Sequence, residues 1–248
     1  MEKIIEVCCG SYYDCLQAEA GGATRVELNT ALHLGGLTPS VGSLVLTKKH
    51  TNLKVIAMVR PRGGGFCYHD EDFETMLLDV ETMLHYGADG IAFGCLDQNG
   101  NIHVEQTKKI IDMIKEKGKE VVFHRAFDCV SDPIQAIETL IHLGVDRILT
   151  SGLQPKAMQG KDMIKKLQEA YGDKIELLAG SGMNSENARE MIEYAGISQV
   201  HSSCKAWLFD PTTTTNNVSY SFASGEHEND YDVVSEDAVS KLVKAVKS

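Results

Sequence analysis

Short apolar runs punctuate the chain at 4–7, 26–28, 55–59, 91–93, 121–123, 148–149, 175–179 and 198–200. Each is too short for a helix and is bounded by glycine or charged residues, so each reads as a buried strand. Between the runs the apolar spacing changes to the three-and-four step of an amphipathic helix. It is clearest in Phe73, Met76, Leu77, Val80, Met83 and Leu84, and again in Ala188, Met191, Ile192 and Ala195. Gly21, Gly87, Gly118, Gly144, Gly172 and Gly196 fall just before the next strand, where a helix end takes a left-handed residue. The segment from Thr38-Pro39 to Asn52 lacks such a glycine; its proline predicts a helix start, and its end is unmarked.

Eight βα units within 248 residues predict an α/β protein of the closed (β/α)8, or TIM-barrel, type, in a single domain. A doubly wound open sheet would carry a glycine-rich dinucleotide fingerprint after its first strand, and Cys8-Cys9-Gly10-Ser11 is not one. Residues 205–232, with Thr212 to Thr215 followed by Asn216 and Asn217, read as an irregular surface loop ahead of a last helix at 235–246.

A formal charge of -11 argues against a nucleic-acid or anionic-membrane binder while permitting a local basic pocket. Glu2, Lys3 and Glu6 interrupt the first ten residues, and no apolar run reaches membrane-spanning length. The expectation is a cytoplasmic protein without a membrane partner. Its seven cysteines show no CxxC pair or zinc-like spacing, so they read as reduced thiols.

The carboxyl-terminal strand ends of such a barrel converge on one mouth, and here those ends are polar. Alternation in the first two strands turns Glu6 and Glu27 inward, and two inward carboxylates require a nearby cation, hydrogen-bond donors or a metal. Val121 to Phe123 ends in His124, Arg125 and Asp128; His124 falls on the inward side as an acid/base candidate, while Arg125 and Asp128 either touch a ligand or pair to hold the loop. Arg60 and Arg62, followed by three glycines, suit the clamping of a carboxylate or phosphate, although Arg60 could instead neutralise Glu27. Thr150 and Ser151, Gly180 and Gly182, and His201 and Ser202 place small donors on three consecutive exits, as a phosphate site would require and as tight turns also would. No lysine stands at a strand exit in position for an imine; Lys156 and Lys205 are loop residues.

Read in order, Glu6-Val7-Cys8, Arg25-Val26-Glu27-Leu28, Gly35 through Ser40, Arg60-Pro61-Arg62, Phe123 through Asp128 and Arg147 through Gly152 closely resemble the CutC family, and the match continues to Ser203. The resemblance implies a TIM barrel, a cytoplasmic homodimer and a link to copper homeostasis. Copper binding in that family is attached to cysteines ending the first two strands; this chain keeps Cys8 but has Asn29 at the second place. It also has Gly65 where the family often carries aspartate. Two functions are therefore expected to compete. One is an enzyme acting on a small anionic, phosphorylated or carboxylated metabolite through Glu6, Glu27 and His124, with a divalent metal as an optional cofactor. The other is a non-enzymatic Cu(I) protein centred on Cys8.

Overall fold

The computed structural model describes residues 2–247. Eight parallel strands close into a barrel in chain order: β1 (Ile4–Cys9), β2 (Arg25–Leu28), β3 (Lys54–Met58), β4 (Gly90–Phe93), β5 (Glu120–Phe123), β6 (Arg147–Thr150), β7 (Glu176–Ala179) and β8 (Gln199–Ser202). The outer shell is α1 (Tyr12–Ala20), α2 (Val41–His50), α3 (Asp70–His85), α4 (Val104–Glu116), α5 (Pro133–Leu143), α6 (Lys161–Tyr171), α7 (Ala188–Ala195) and α8 (Glu236–Lys247). Every apolar run seen in the sequence is one barrel strand. None of the helices is long and apolar enough to cross a membrane, among the described residues.

The helix ends follow local chemistry. Asp132 caps α5 by accepting from the Ile134 and Gln135 amides at 2.9 and 3.1 Å, with Pro133 in the first turn and left-handed Gly144 closing the helix. In α2 the cap is Ser40, so Pro39 stands before the cap rather than inside the first turn; Thr51 ends the helix by donating its hydroxyl to Thr47 O at 2.7 Å. Gly21 and Gly172 are right-handed, contrary to expectation. Gly21 is required for space instead: a Cβ there would lie 2.5 Å from Val239 Cβ of α8, and the left-handed turn falls on Gly22.

Alternate strand residues point into the lumen, which has three zones. Its floor is ionic: Arg147 is buried and donates to Glu120 at 2.9 Å and Glu176 at 2.8 Å, and Arg25 donates to Gln199 at 2.6 Å. Its waist is an apolar cluster of Ile56, Met58, Ala92 and Val122, separate from the main core between strands and helices. Above the waist lies the mouth, where Cys8, Glu27, Asn29, His124 and His201 gather. The main core takes the opposite strand faces, including Ile5, Val7, Val26 and Leu28, so the strands are buried on both sides.

The expected irregular loop at 205–232 is a hairpin at its base. β9 (Lys205–Phe209) and β10 (Asp230–Val234) pair antiparallel, Lys205 opposite Val234 and Phe209 opposite Asp230. The segment between them is folded back on itself by a Thr214–Ser219 bridge, and Trp207 stacks on His227 at 4.4 Å. Asp14 fastens the hairpin to the barrel, accepting from the Val234 and Gly10 amides, each at 2.8 Å.

Candidate active site at the barrel mouth

A cavity of about 530 Å³ opens at the carboxyl-terminal ends of the strands. Its deep end is built by β1, β2 and β8. His201 Nδ1 lies 2.9 Å from Glu6 Oε1, and its Nε2 lies 3.7 Å from Glu27 Oε2. Asn29 donates to Glu27 Oε2 at 3.2 Å and sits 3.6 Å from Cys8 Sγ, which is itself 3.9 Å from Glu27 Oε2. Asn29 can enter so far because Gly36, at φ +85°, faces it: a Cβ there would fall 2.4 Å from Asn29 Oδ1.

These groups share charge unequally. Burial favours the neutral form of Glu6, yet Arg25 at 2.6 Å and His201 hold its carboxyl well below the usual range. Burial raises the Glu27 carboxyl, and nearby Glu6 adds to the rise against the pull of His201. Burial opposes the charge on His201, but Cys8, Glu27 and Glu6 outweigh it and raise the imidazole well above its ordinary value. The Cys8 thiol is pushed up by burial. Glu6 is therefore the fixed anion, while Glu27 and His201 form the adjustable pair. Glu27 Oε1 is buried and has no partner.

His124 forms the opposite wall. Its Nδ1 accepts from the Ala126 amide at 3.1 Å, so the neutral ring carries its proton on Nε2, a buried donor without a partner. Burial, followed by Arg60 and Arg125, lowers its pKa to about 3. This histidine is a neutral donor at physiological pH rather than the titrating acid/base group that the sequence suggests. Phe66 packs beside it with ring centres 5.0 Å apart.

The arginines are differently occupied from the clamps expected of them. Arg60 is buried and donates to the carbonyls of Leu34 (2.9 Å), Gly36 (3.0 Å) and Gly64 (2.6 Å), joining two loops; it makes no ion pair with Glu27. Arg62 binds Asp72 at 2.6 Å and loop carbonyls of Gly63 and Cys67, and it does not line the cavity. Arg125 is held by Asp128 at 2.8 Å and Ser151 Oγ at 2.7 Å.

Asp128 collects Thr150 Oγ1 at 2.6 Å, the Ser151 and Leu153 amides and the Ser151 hydroxyl, so Thr150 and Ser151 organise the β6 exit instead of facing a ligand. Ser202 donates to Met183 O at 2.7 Å and is likewise internal. Of the glycines, Gly182 lines the cavity, whereas Gly180 lies behind it, where a Cβ would meet Leu149 at 2.6 Å. Glu6 is walled off by His201.

Asn29, Phe66, Lys156 and Lys205 line the cavity without having been singled out as ligand contacts. Asn29 was legible as the next inward position after Glu27; the lysines were not, because their loops carry no period.

A TIM barrel whose cavity, holding several ionisable side chains, lies at the carboxyl-terminal face defines the class of this protein. The CutC family model matches residues 3–206, and the chain belongs to the CutC family. A Treponema denticola protein named CutC is 41% identical over 98% of both chains. The human copper homeostasis protein cutC homolog is 39% identical over 82% of this chain and 74% of its own length. A crystal structure of a CutC protein from Streptococcus agalactiae superposes with a TM-score of 0.77 at 30% identity, covering 81% of this chain and 98% of that one. Phosphoribosyl anthranilate isomerase from Thermococcus kodakaraensis, with a TM-score of 0.58 at 16% identity, shares the fold alone.

Proposed function

We propose that the mouth is the active site of an enzyme that moves a proton on a small anionic carbonyl metabolite. The observation that carries this reading is a buried, unpartnered acceptor, Glu27 Oε1, and a buried, unpartnered donor, His124 Nε2, in groups lining one cavity. A carboxylate raised by burial is suited to take a proton from a carbon next to a carbonyl. The neutral His124 N–H would stabilise the negative charge that then develops on the carbonyl oxygen, and its depressed pKa keeps it a donor without becoming an acid. Return of the proton by Glu27 to the former carbonyl carbon, with the proton of the adjacent hydroxyl passing to the former carbonyl oxygen, gives an isomerisation. His201, held by Glu6, positions and screens Glu27.

The test is deuterium wash-in. Phosphorylated and carboxylated sugars and keto acids are incubated with the protein in D2O and followed by NMR. Exchange at the carbon beside the carbonyl is expected in wild type and should fall about a hundredfold or more in Glu27→Gln. His124→Asn keeps an acceptor for the Ala126 amide, withdraws the N–H from the Nε2 position and should lose a comparable factor. If no compound exchanges, or if Glu27→Gln exchanges as fast as wild type, the reading is overturned.

A second reading has its own support. Cys8, Glu27 and His201 offer ligand atoms within 4.8 Å of one another, and the Glu6 contact to His201 Nδ1 is the outer carboxylate usual behind a metal-bound imidazole. One thiol, one imidazole and one carboxylate do not match the soft set that Cu(I) prefers; they fit a borderline divalent ion such as Zn2+. Such an ion would supply Lewis-acid polarisation at the deep end of the cavity. Competition titrations with Zn2+ and, anaerobically, with Cu(I) would separate the readings. Binding of neither ion above that of Cys8→Ala removes the metal reading altogether.

A further inference from the structure

The deep end of the cavity is where a reacting carbonyl would lie, but its outer rim has a different character. Lys156, from the loop after β6, pairs with no carboxylate among the described residues, and its aliphatic stem lies over Gly182. Only the absence of a side chain permits this, since a Cβ on Gly182, at φ +78°, would be 2.9 Å from Lys156 Cδ. The loop beneath is fixed from both sides: Ser181 donates its hydroxyl to Pro155 O at 2.8 Å, and Asn187 donates to Gly182 O at 2.9 Å. The backbone N–H groups of Ser181, Gly182 and Ser203 make no hydrogen bond among the described residues, and all three residues line the cavity. Lys205 reaches the same rim from β9, with its ammonium 3.9 Å from the Trp207 ring centre and 3.6 Å from Asp232.

From this convergence we infer that the β7 and β8 exits, with Lys156 and Lys205, bind the phosphate of a phosphomonoester substrate. Free amides from two adjacent turns and a cation without a counter-ion are what a compact dianion recognises. The acidic groups that share the cavity are Glu27 at its deep end, Asp128, which is tied to Arg125, and Asp232, which is tied to Lys205. Asp128 and Asp232 are thus matched by cations of their own, and Lys156 keeps its full charge for the ligand. The apolar walls between rim and deep end, Met58, Leu149 and Phe66, leave room for a short carbon chain. The substrate class is accordingly a small phosphorylated hydroxycarbonyl compound, phosphate outward and carbonyl inward.

This inference rests on the proton-transfer reading of the same cavity, and the experiment separates their failures. Ribose 5-phosphate, ribose, glycerol 3-phosphate and 2-oxoglutarate are titrated into wild type, Lys156→Met and Lys205→Met by calorimetry, with deuterium wash-in measured in parallel. Wild type should bind both phosphate esters and ignore ribose, and Lys156→Met, which keeps the stem, should weaken phosphate ester binding about tenfold or more. Lys205→Met should do less, because Asp232 already holds part of its charge. Equal binding of ribose and ribose 5-phosphate, or unchanged phosphate ester affinity in Lys156→Met, overturns the inference. 2-Oxoglutarate exchange that depends on Glu27 without binding of either phosphate ester overturns it while sparing the proton-transfer reading. Phosphate ester binding that depends on Lys156, with no exchange, supports the subsite and overturns the reaction. Lys156 is exposed, so the substituted protein should keep its fold, which its unfolding temperature verifies.

Discussion

Replacing His124 with asparagine removes a group that the fold keeps from taking up a proton over a wide range of pH. In the unfolded chain the imidazole binds a proton near its ordinary value of 6.5; in the fold it does so only near 3, because it is buried between Arg60 and Arg125. Between those values the unfolded state holds the extra proton, so wild-type stability is full above 6.5, falls as pH falls and levels off below the folded value. The slope is about 1.4 kcal/mol per pH unit, or about 3 kcal/mol between pH 6.5 and about pH 4.5. Asparagine retains an oxygen for the Ala126 amide but cannot titrate, so its packing cost is the same at both ends of the range. Urea unfolding of wild type and His124→Asn at about pH 7.5 and about pH 4.5 should therefore show the gap between them shrinking by about 3 kcal/mol on the acid side. Carboxylates that titrate in the same window cancel in this difference. A gap that changes by less than about 1 kcal/mol would refute the assignment of a neutral, buried His124.

Asp128→Asn should cost about 2–4 kcal/mol in urea unfolding, because it removes the charge facing Arg125 and presents an NH2 group to the donors of Thr150 and Ser151; a loss under about 1 kcal/mol would show that the β6 exit is not organised by this carboxylate. Gly21→Ala should cost about 1–3 kcal/mol by driving a methyl group against Val239 Cβ and the Glu236 carbonyl of α8, and because Val239→Ala keeps that Cβ the double variant should recover little; a single-variant loss under about 0.5 kcal/mol would show that the α1–α8 contact is not tight there. Glu6→Gln should cost about 3–5 kcal/mol at neutral pH by leaving Arg25 buried without its counter-charge. His201, raised by its acidic neighbours, stabilises the fold fully below 6.5, and that contribution is lost as pH rises through its higher folded value; the alkaline decline should therefore be shallower in Glu6→Gln, and an equal decline would break the link between the two groups.

Much of the barrel was legible because buried parallel strands must be short apolar runs, and each such run between 4 and 200 became one strand. The inward carboxylates were legible for the same reason, since alternation leaves Glu6 and Glu27 no other face. What escaped had no local period. Lys205 to Phe209 finds its partner only at Asp230 to Val234, across a stretch of polar residues, so neither strand announced itself. Arg60 looked like a ligand clamp because the carbonyls that occupy it belong to loops 24 or more residues earlier and four residues later, and no side-chain pattern marks a carbonyl. Lys156 was set aside as a loop residue, and only the folded path of that loop brings it over Gly182.

Glu6 is bound on one side to Arg25 in the floor of the lumen and on the other to His201 in the mouth. A single carboxylate thus serves as counter-charge both to a cation of the barrel floor and to a histidine that lines the cavity. The consequence concerns evolvability: substitutions that retune the mouth by altering the charge on His201 will also be felt in the barrel floor. Changes to the cavity that leave the floor undisturbed are best sought among exposed lining residues that pair with neither partner of Glu6, such as Lys156.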